Sequence, residues 1–276
     1  MVHRATKNSV LVVLALVGSA CGIRASSTKN TASNPVVSYG LPQKSTGEFP
    51  SPLSAALESL SSHMPIPLLA PSAIPADLSA KTSSTQSGYK ISLYHCQSKL
   101  TLNNSEIGNA PNCSGSASYF GDFDGTHYAT ASTANLWLST LQNQRTRFCG
   151  PNSNSSQQVG LARGVQGVLT STKGASGYCE MHFDLNGWSV LIGGNAALYS
   201  IAEAKQEGSR VIDLMTKVRM PAKNGIVVIQ TAGDGNHTWM TWTTGENLYT
   251  VSGYHSTSSA FSMTGSLASV RGVPQK

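Results

Sequence analysis

The feature that most restricts how this chain can fold is an internal repeat, with one copy at about 163–212 and a second at about 224–270. The first runs GVLTSTKGASGYCEMHFDLNGWSVLIGGNAALYSIAEAKQ from Gly167. The second runs GIVVIQTAGDGNHTWMTWTTGENLYTVSGYHSTSSAFSMTGSLASV from Gly225. Met181 and Phe183 match Met240 and Trp242, and the Asn186-Gly187 turn matches Gly245–Asn247. Val190 and Gly193 then match Val251 and Gly253 across a single-residue insertion. Each copy reads as three strands joined by Gly-rich turns and followed by a helix. In the first, Leu198, Ile201, Ala202 and Lys205 have helical spacing and Asn195 can cap them. In the second, Ser258 or Ser259 can cap a helix carrying Phe261, Met263 and Leu267. A short meander closed by a helix cannot bury its apolar face alone, whereas two copies can share one sheet. The expected fold class is therefore α+β, an antiparallel sheet built from two meander-plus-helix repeats with the helices packed on one face.

The 276-residue chain divides into four parts. Residues 88–272 form the α+β domain that contains the repeats. At its start YKISLYHC alternates from Tyr89, and SASYFGDF is a candidate antiparallel partner. Residues 133–147 fit a helix through Leu136, Trp137 and Leu141, and a strand less well. Residues 52–87 hold a short helix, with Leu53, Leu57, Leu60 and Met64 on one face, and a Pro-rich strap, PIPLLAPSAIP. The strap's prolines bar it from the centre of a sheet. Residues 21–51 are rich in Ser, Thr, Pro and Gly and read as a disordered tether behind an anchor.

Residues 1–20 read as a signal peptide. Arg4 and Lys7 precede the apolar run VLVVLALV, and Gly18-Ser19-Ala20 precede Cys21. The run is too short to span a bilayer. Small residues before a cysteine resemble the lipobox of bacterial lipoproteins, although Gly18 stands where that family usually has Leu. The resemblance implies acylation of Cys21 and attachment to a lipid bilayer on its extracytoplasmic side. Composition agrees with export: charged residues are only 12%, and about 60 residues are Ser or Thr. The formal charge of +6 falls to about +4 without Arg4 and Lys7, too weak and too scattered for nucleic acid. Removing Cys21 leaves an even four cysteines, the pattern of two disulfides. Three connectivities are open. Cys96–Cys113 with Cys149–Cys179 is favoured because each closes a loop between candidate neighbouring strands.

WTTGENLYTVSG, from Trp242 to Gly253, followed by Gly265, Ser266 and Leu267, resembles a pattern of bacterial extracytoplasmic domains found in lipoproteins and membrane-anchored regulators. That pattern is a W-x-x-G-x-x-Y-x-(V/L)-x-G hairpin and a helix ending in an S-L pair. FDLNGWSVLIGG fits it with Phe183 in place of the Trp, and the strap with Pro71 and Pro75 is similar to the segment that leads into those domains. Half-barrel lipoprotein carriers and the periplasmic sensors of anti-sigma factors are more distant likenesses. They imply a concave sheet that holds lipid or lipopeptide. The resemblance covers about 40% of the chain, rests on fold-forming residues and supplies no catalytic residue.

Chemistry is sparse. No GxSxG, HExxH, Walker A, GxGxxG or CxxC sequence is present, so no enzyme, cofactor or metal is expected. His95 falls on the apolar face of its strand and His182 on a solvent face. Asp122-Phe123-Asp124-Gly125 opens like a calcium loop but lacks the closing acid at the twelfth position, so it reads as a hairpin turn. Asp234-Gly235-Asn236 reads as another tight turn. Glu180 and Asp184 share a strand face about 13 Å apart, beyond the reach of a glycosidase pair. The aromatic residues are concentrated in the repeats. Trp242 and Tyr249 suit opposite arms of one hairpin, and Trp188 stands where the second copy has Leu248. All three can be sheet packing, or they can line a groove for an apolar ligand. The expectation is a membrane-anchored, non-enzymatic extracytoplasmic lipoprotein that binds an apolar ligand or an envelope protein. The alternative is a structural or regulatory surface module with a filled core, acting on a sensor or cell-wall enzyme.

Overall fold

The computed structural model describes residues 38–39, 41–109, 111–113, 118–143, 148–149, 153–172, 177–194, 200–232 and 234–271. Strands β1 (Ser38–Tyr39) and β2 (Gln43–Lys44) precede a 3-10 turn at Thr46–Glu48 and helix α1 (Leu53–Ser61). Next come β3 (Leu69–Pro71), β4 (Ser79–Thr85), β5 (Gly88–Tyr94), β6 (Tyr119–His127) and α2 (Ala131–Gln142). A four-strand meander follows, β7 (Ser153–Gly160), β8 (Gln166–Thr172), β9 (Glu180–Leu185) and β10 (Trp188–Gly193), and then α3 (Ile201–Lys217). The chain continues through β11 (Arg219–Met220), β12 (Gly225–Ala232), β13 (Gly235–Thr244) and β14 (Asn247–Gly253). It closes with α4 (Thr257–Gly265) and β15 (Leu267–Val270).

The class is α+β. Ten strands form one sheet in the order β4-β5-β6-β14-β13-β12-β10-β9-β8-β7, and β2-β15-β3 form a small second sheet. The large sheet is mixed rather than purely antiparallel, because β10 and β12 run parallel. Parallel neighbours need a crossover, and α3 with β11 provides it. Both β10 and β12 read as near-continuous apolar runs, as strands covered on two faces do.

Alternation along the strands separates two faces. Tyr89, Ile91, Phe123, Phe183, Val190, Val227, Met240, Trp242 and Val251 point into the main core, which is closed by α1, α3 and α4. Ile226 and Val228 point the other way, against Leu138 of α2. The expectation that all helices cover one face is thus corrected. Two consecutive outward apolar positions on β12 need a cover of their own, and α2 supplies it.

The capping and burial of the helices also differ from the sequence reading. Helix α3 starts at Ile201 behind a Ser200–Glu203 capping box and buries Ala204, Gly208, Val211, Ile212 and Met215. Ile201, Ala202 and Lys205 are therefore on its exposed side, while Asn195 and Leu198 lie outside the described residues. In α4 the N-cap is Ser256; Phe261 and Met263 are buried as expected, and Leu267 belongs to β15. Residues 133–147 are helical as far as Gln142.

The folded part begins well before Tyr89. Strand β4, in the segment read as strap, pairs with β5 along its length. Part of the expected tether is also built in: β2 pairs with β15, and Phe49 is buried in the core. A buried aromatic ring and a row of shared backbone hydrogen bonds offset the ordering entropy that composition alone makes look prohibitive. The strap keeps to its predicted place at an edge, with β3 on the rim of the small sheet beside β15. Two tyrosines hold it down. Tyr89 Oη accepts from Leu69 N at 2.8 Å and donates to Leu69 O at 3.1 Å, and Tyr249 Oη donates to Pro67 O at 3.1 Å. Gly125 sits between these residues on the central strand, and a Cβ there would lie 2.8 Å and 2.9 Å from their rings.

The hairpins β9–β10 and β13–β14 both close through two-residue turns. Asn186 and Gly187 both have positive φ, and Gly245 does so in the second turn. Matching the hairpins by their turns keeps Met181 with Met240 and Phe183 with Trp242 and needs no insertion. Val190 then corresponds to Tyr249, Ile192 to Val251, Gly194 to Gly253 and Trp188 to Asn247.

Candidate functional site

The described residues contain two disulfides, Cys96–Cys113 and Cys149–Cys179, with Cα separations of 4.4 Å and 5.4 Å. The first spans the connection from β5 to β6, as the sequence suggests. The second joins the segments that lead into β7 and β9, which are separated by β8 rather than adjacent. Such bonds suggest an extracellular or periplasmic location. No described helix is long and apolar enough to cross a membrane. Cys21 and the segment before it lie outside the described residues.

The three aromatic residues singled out as candidate groove lining are buried in the main core. Trp188 is 0% exposed, and its Nε1 donates to Ala222 O at 3.0 Å. Its ring lies over Gly225, the residue opposite it on β12. Trp242 stacks on Tyr249, with ring centres 5.8 Å apart. Trp242 Nε1 has no hydrogen-bond partner among the described residues. Side chains of the sheet and helices occupy the space in front of all three, which is the packing alternative rather than an open groove.

Polar chemistry collects on the opposite face, over β5, β6 and β14, at residues the sequence reading took for a turn. Asp122 and Asp124 lie within β6, not in a hairpin turn, because β5 and β14 pair with that strand on both sides. Asp122 is buried and receives three donors. Lys90 Nζ is 2.5 Å from its Oδ2, Ser252 Oγ donates to its Oδ1 at 2.7 Å, and Tyr119 Oη donates to Oδ2. Three donors on one buried carboxylate tie β5, β6 and β14 together at this point. Burial works against the Lys90 ammonium, but its bond to Asp122 raises its pKa nonetheless. Asp124 stands between Lys90 and Thr250 and makes no hydrogen bond among the described residues. Burial, followed by the nearby Asp122 charge, pushes its pKa up to about 7 against a smaller pull from Lys90. It lines a shallow groove of about 240 Å³ with Lys90, Ser83, Thr85 and Thr126.

A row of aromatic rings crosses the same face at one end of these strands. Tyr94, Tyr119, Tyr254, His237 and Trp239 follow one another with ring centres 5.2, 5.4, 3.6 and 6.2 Å apart. All five are partly exposed. The signal for this site was present in the sequence. The alternation Asp122-x-Asp124 fits a strand whose acids share a face, as does Lys90 in YKISLY, whereas Tyr119 reaches that face across the bulge opposite Tyr94.

The other polar residues are dispersed. The β5 strand ends at Tyr94, so His95 lies beyond it, exposed and 3.4 Å from Asp77; the expected core position is corrected. His182 does lie on the face opposite the core, where Nε2 and Ser189 Oγ are 2.8 Å apart. Glu180 and Asp184 share that face, the first buried and the second exposed. Asp234 is in the β12–β13 turn. No group of three or more His, Cys, Asp or Glu among the described residues is placed to hold a metal ion. No family model, curated protein or solved structure matches this chain.

Proposed function

We propose that this protein is a non-enzymatic extracytoplasmic module, anchored to a membrane through acylated Cys21, that acts through its surface. The observation that carries the reading is the burial of Trp188, Trp242 and Tyr249 at 0–2% exposure beneath α1, α3 and α4. A carrier of apolar cargo needs an open apolar lining, and here those positions are filled by the chain's own side chains. The disulfides support the compartment, and the leader with Ala20 before Cys21 supports the anchor. The shared order of β8–β9–β10–α3 and β12–β13–β14–α4 supports duplication of one unit as the origin of the C-terminal half. The likeness to half-barrel carriers is then a likeness of scaffold, with the cavity lost to packing. Native mass spectrometry of the full chain, followed by organic extraction, tests this. The expected result is a protein mass with two disulfides and no extractable lipid beyond the anchor; a second lipid released on denaturation would favour the carrier.

A further inference from the structure

The surface on which such a module would act is the aromatic row and the charge cluster beneath it. We infer that Tyr94, Tyr119, Tyr254, His237 and Trp239 form a binding site for an uncharged polysaccharide. The inference rests on the proposal that the protein works through its surface.

Three observations point to a sugar. The rings follow one another across β5, β6, the residue after β14, and β13, a run long enough to meet more than one sugar ring. Neighbouring planes are mostly tilted, by 58°, 71°, 28° and 74° along the row, so the surface is corrugated. Chair-shaped pyranoses, with C–H groups on their faces, seat on such a surface better than flat bases do. The row also carries unused polar tips: Tyr94 Oη, Tyr254 Oη and Trp239 Nε1 make no hydrogen bond among the described residues. Aromatic side chains with a polar end suit a ligand that is apolar on its ring faces and hydroxylated at its edges.

Geometry decides against the nearest competitor. A cage of aromatic rings can also hold an organic cation. These rings form a row across four strands rather than a cage, and Tyr254 and His237 stack on each other at 3.6 Å. The carboxylate under the row, Asp122, is matched by Lys90 at 2.5 Å, and Asp234 at its end lies 3.4 Å from His237 Nε2. The same saturation argues against hydrolysis of the bound sugar. Asp122 is buried and both its oxygens are engaged, Oδ2 by Lys90 and Tyr119 and Oδ1 by Ser252, a structural setting rather than that of an exposed base or nucleophile.

The full chain, its disulfides intact, is titrated by calorimetry and by NMR with N-acetylchitotetraose, mannotetraose and cellotetraose. Binding of at least one at a Kd of about 1 mM or tighter is expected, with shifts centred on Tyr94, Tyr119, Tyr254 and Trp239. Tyr254→Ala and Tyr94→Ala should each weaken it by about tenfold or more. Tyr254→Phe, which keeps the ring and loses one hydroxyl, should weaken it less and guards against a misfolded alanine variant. No binding of any of the three at about 10 mM, or binding that all these variants leave unchanged, overturns the inference. Those results would leave the surface reading standing, because that reading is tested separately, by the absence of extractable internal lipid.

Discussion

Replacing Asp124 by Asn should stabilise the protein at alkaline pH and do nothing at acidic pH. The folded carboxyl keeps its proton to about pH 7, whereas the unfolded chain gives it up near pH 4. Between those values the folded state binds the extra proton, so stability falls as pH rises and levels off above the folded pKa. At about 1.4 kcal/mol for each pH unit, the gap is worth at most about 4 kcal/mol. Partial exposure at the groove mouth lowers this to about 2 kcal/mol. Asparagine has the same shape and never ionises, so D124N should lack that loss. Urea unfolding of both proteins at about pH 4, 6 and 8 measures it: equal stability is expected at the lowest pH, and a D124N advantage of about 2 kcal/mol at the highest. If D124N is the less stable protein at about pH 8, or the two profiles run parallel, the reasoning is wrong about the field at β6.

Three further outcomes follow from packing and covalent structure. Trp188→Ala removes a fully buried ring and should cost about 3–5 kcal/mol in denaturant unfolding, with binding at the opposite face unchanged while the protein is folded. Gly125→Ala forces a methyl group against the Tyr89 and Tyr249 rings and should cost about 1–3 kcal/mol, together with faster proteolysis of the strap they clamp. Replacing Cys149 and Cys179 by Ser opens a link across 30 residues and should lower stability by about 3–4 kcal/mol in the same assay.

The elements legible in the sequence were those in which one periodicity dominates. The β9–β10 and β13–β14 hairpins were visible because apolar alternation meets a Gly turn that tolerates positive φ. Helix α1 was visible from its leucine spacing, and Cys96–Cys113 from the loop it closes; Cys149–Cys179 is the expected pair but bridges segments that lead into non-adjacent strands. What failed was decided by tertiary partners. Phe49 looks like part of a polar tether until the core that receives it is assembled. The stripe of α3 was misplaced because Ile201 is more apolar than Gly208, yet close approach to Met181 places Gly208 inside. Helix α2 went to the second face because Ile226 and Val228 sit there, which a run such as GIVVIQ cannot signal on its own. The charge cluster was missed for a related reason. Asp-x-Asp-Gly is a common turn composition, and only pairing on both sides makes it a central strand with two acids on one face.

The filled inner face is the claim on which the functional reading depends, and residue-resolved hydroxyl-radical footprinting of the four tryptophans tests it directly. Trp137, 52% exposed on α2, should react fastest and the partly exposed Trp239 more slowly, while Trp188 and Trp242 should be protected until the protein unfolds. Oxidation of Trp188 or Trp242 at the rate of Trp137 in the folded protein would mean that the inner face is open, and would return the protein to the carriers of apolar ligands.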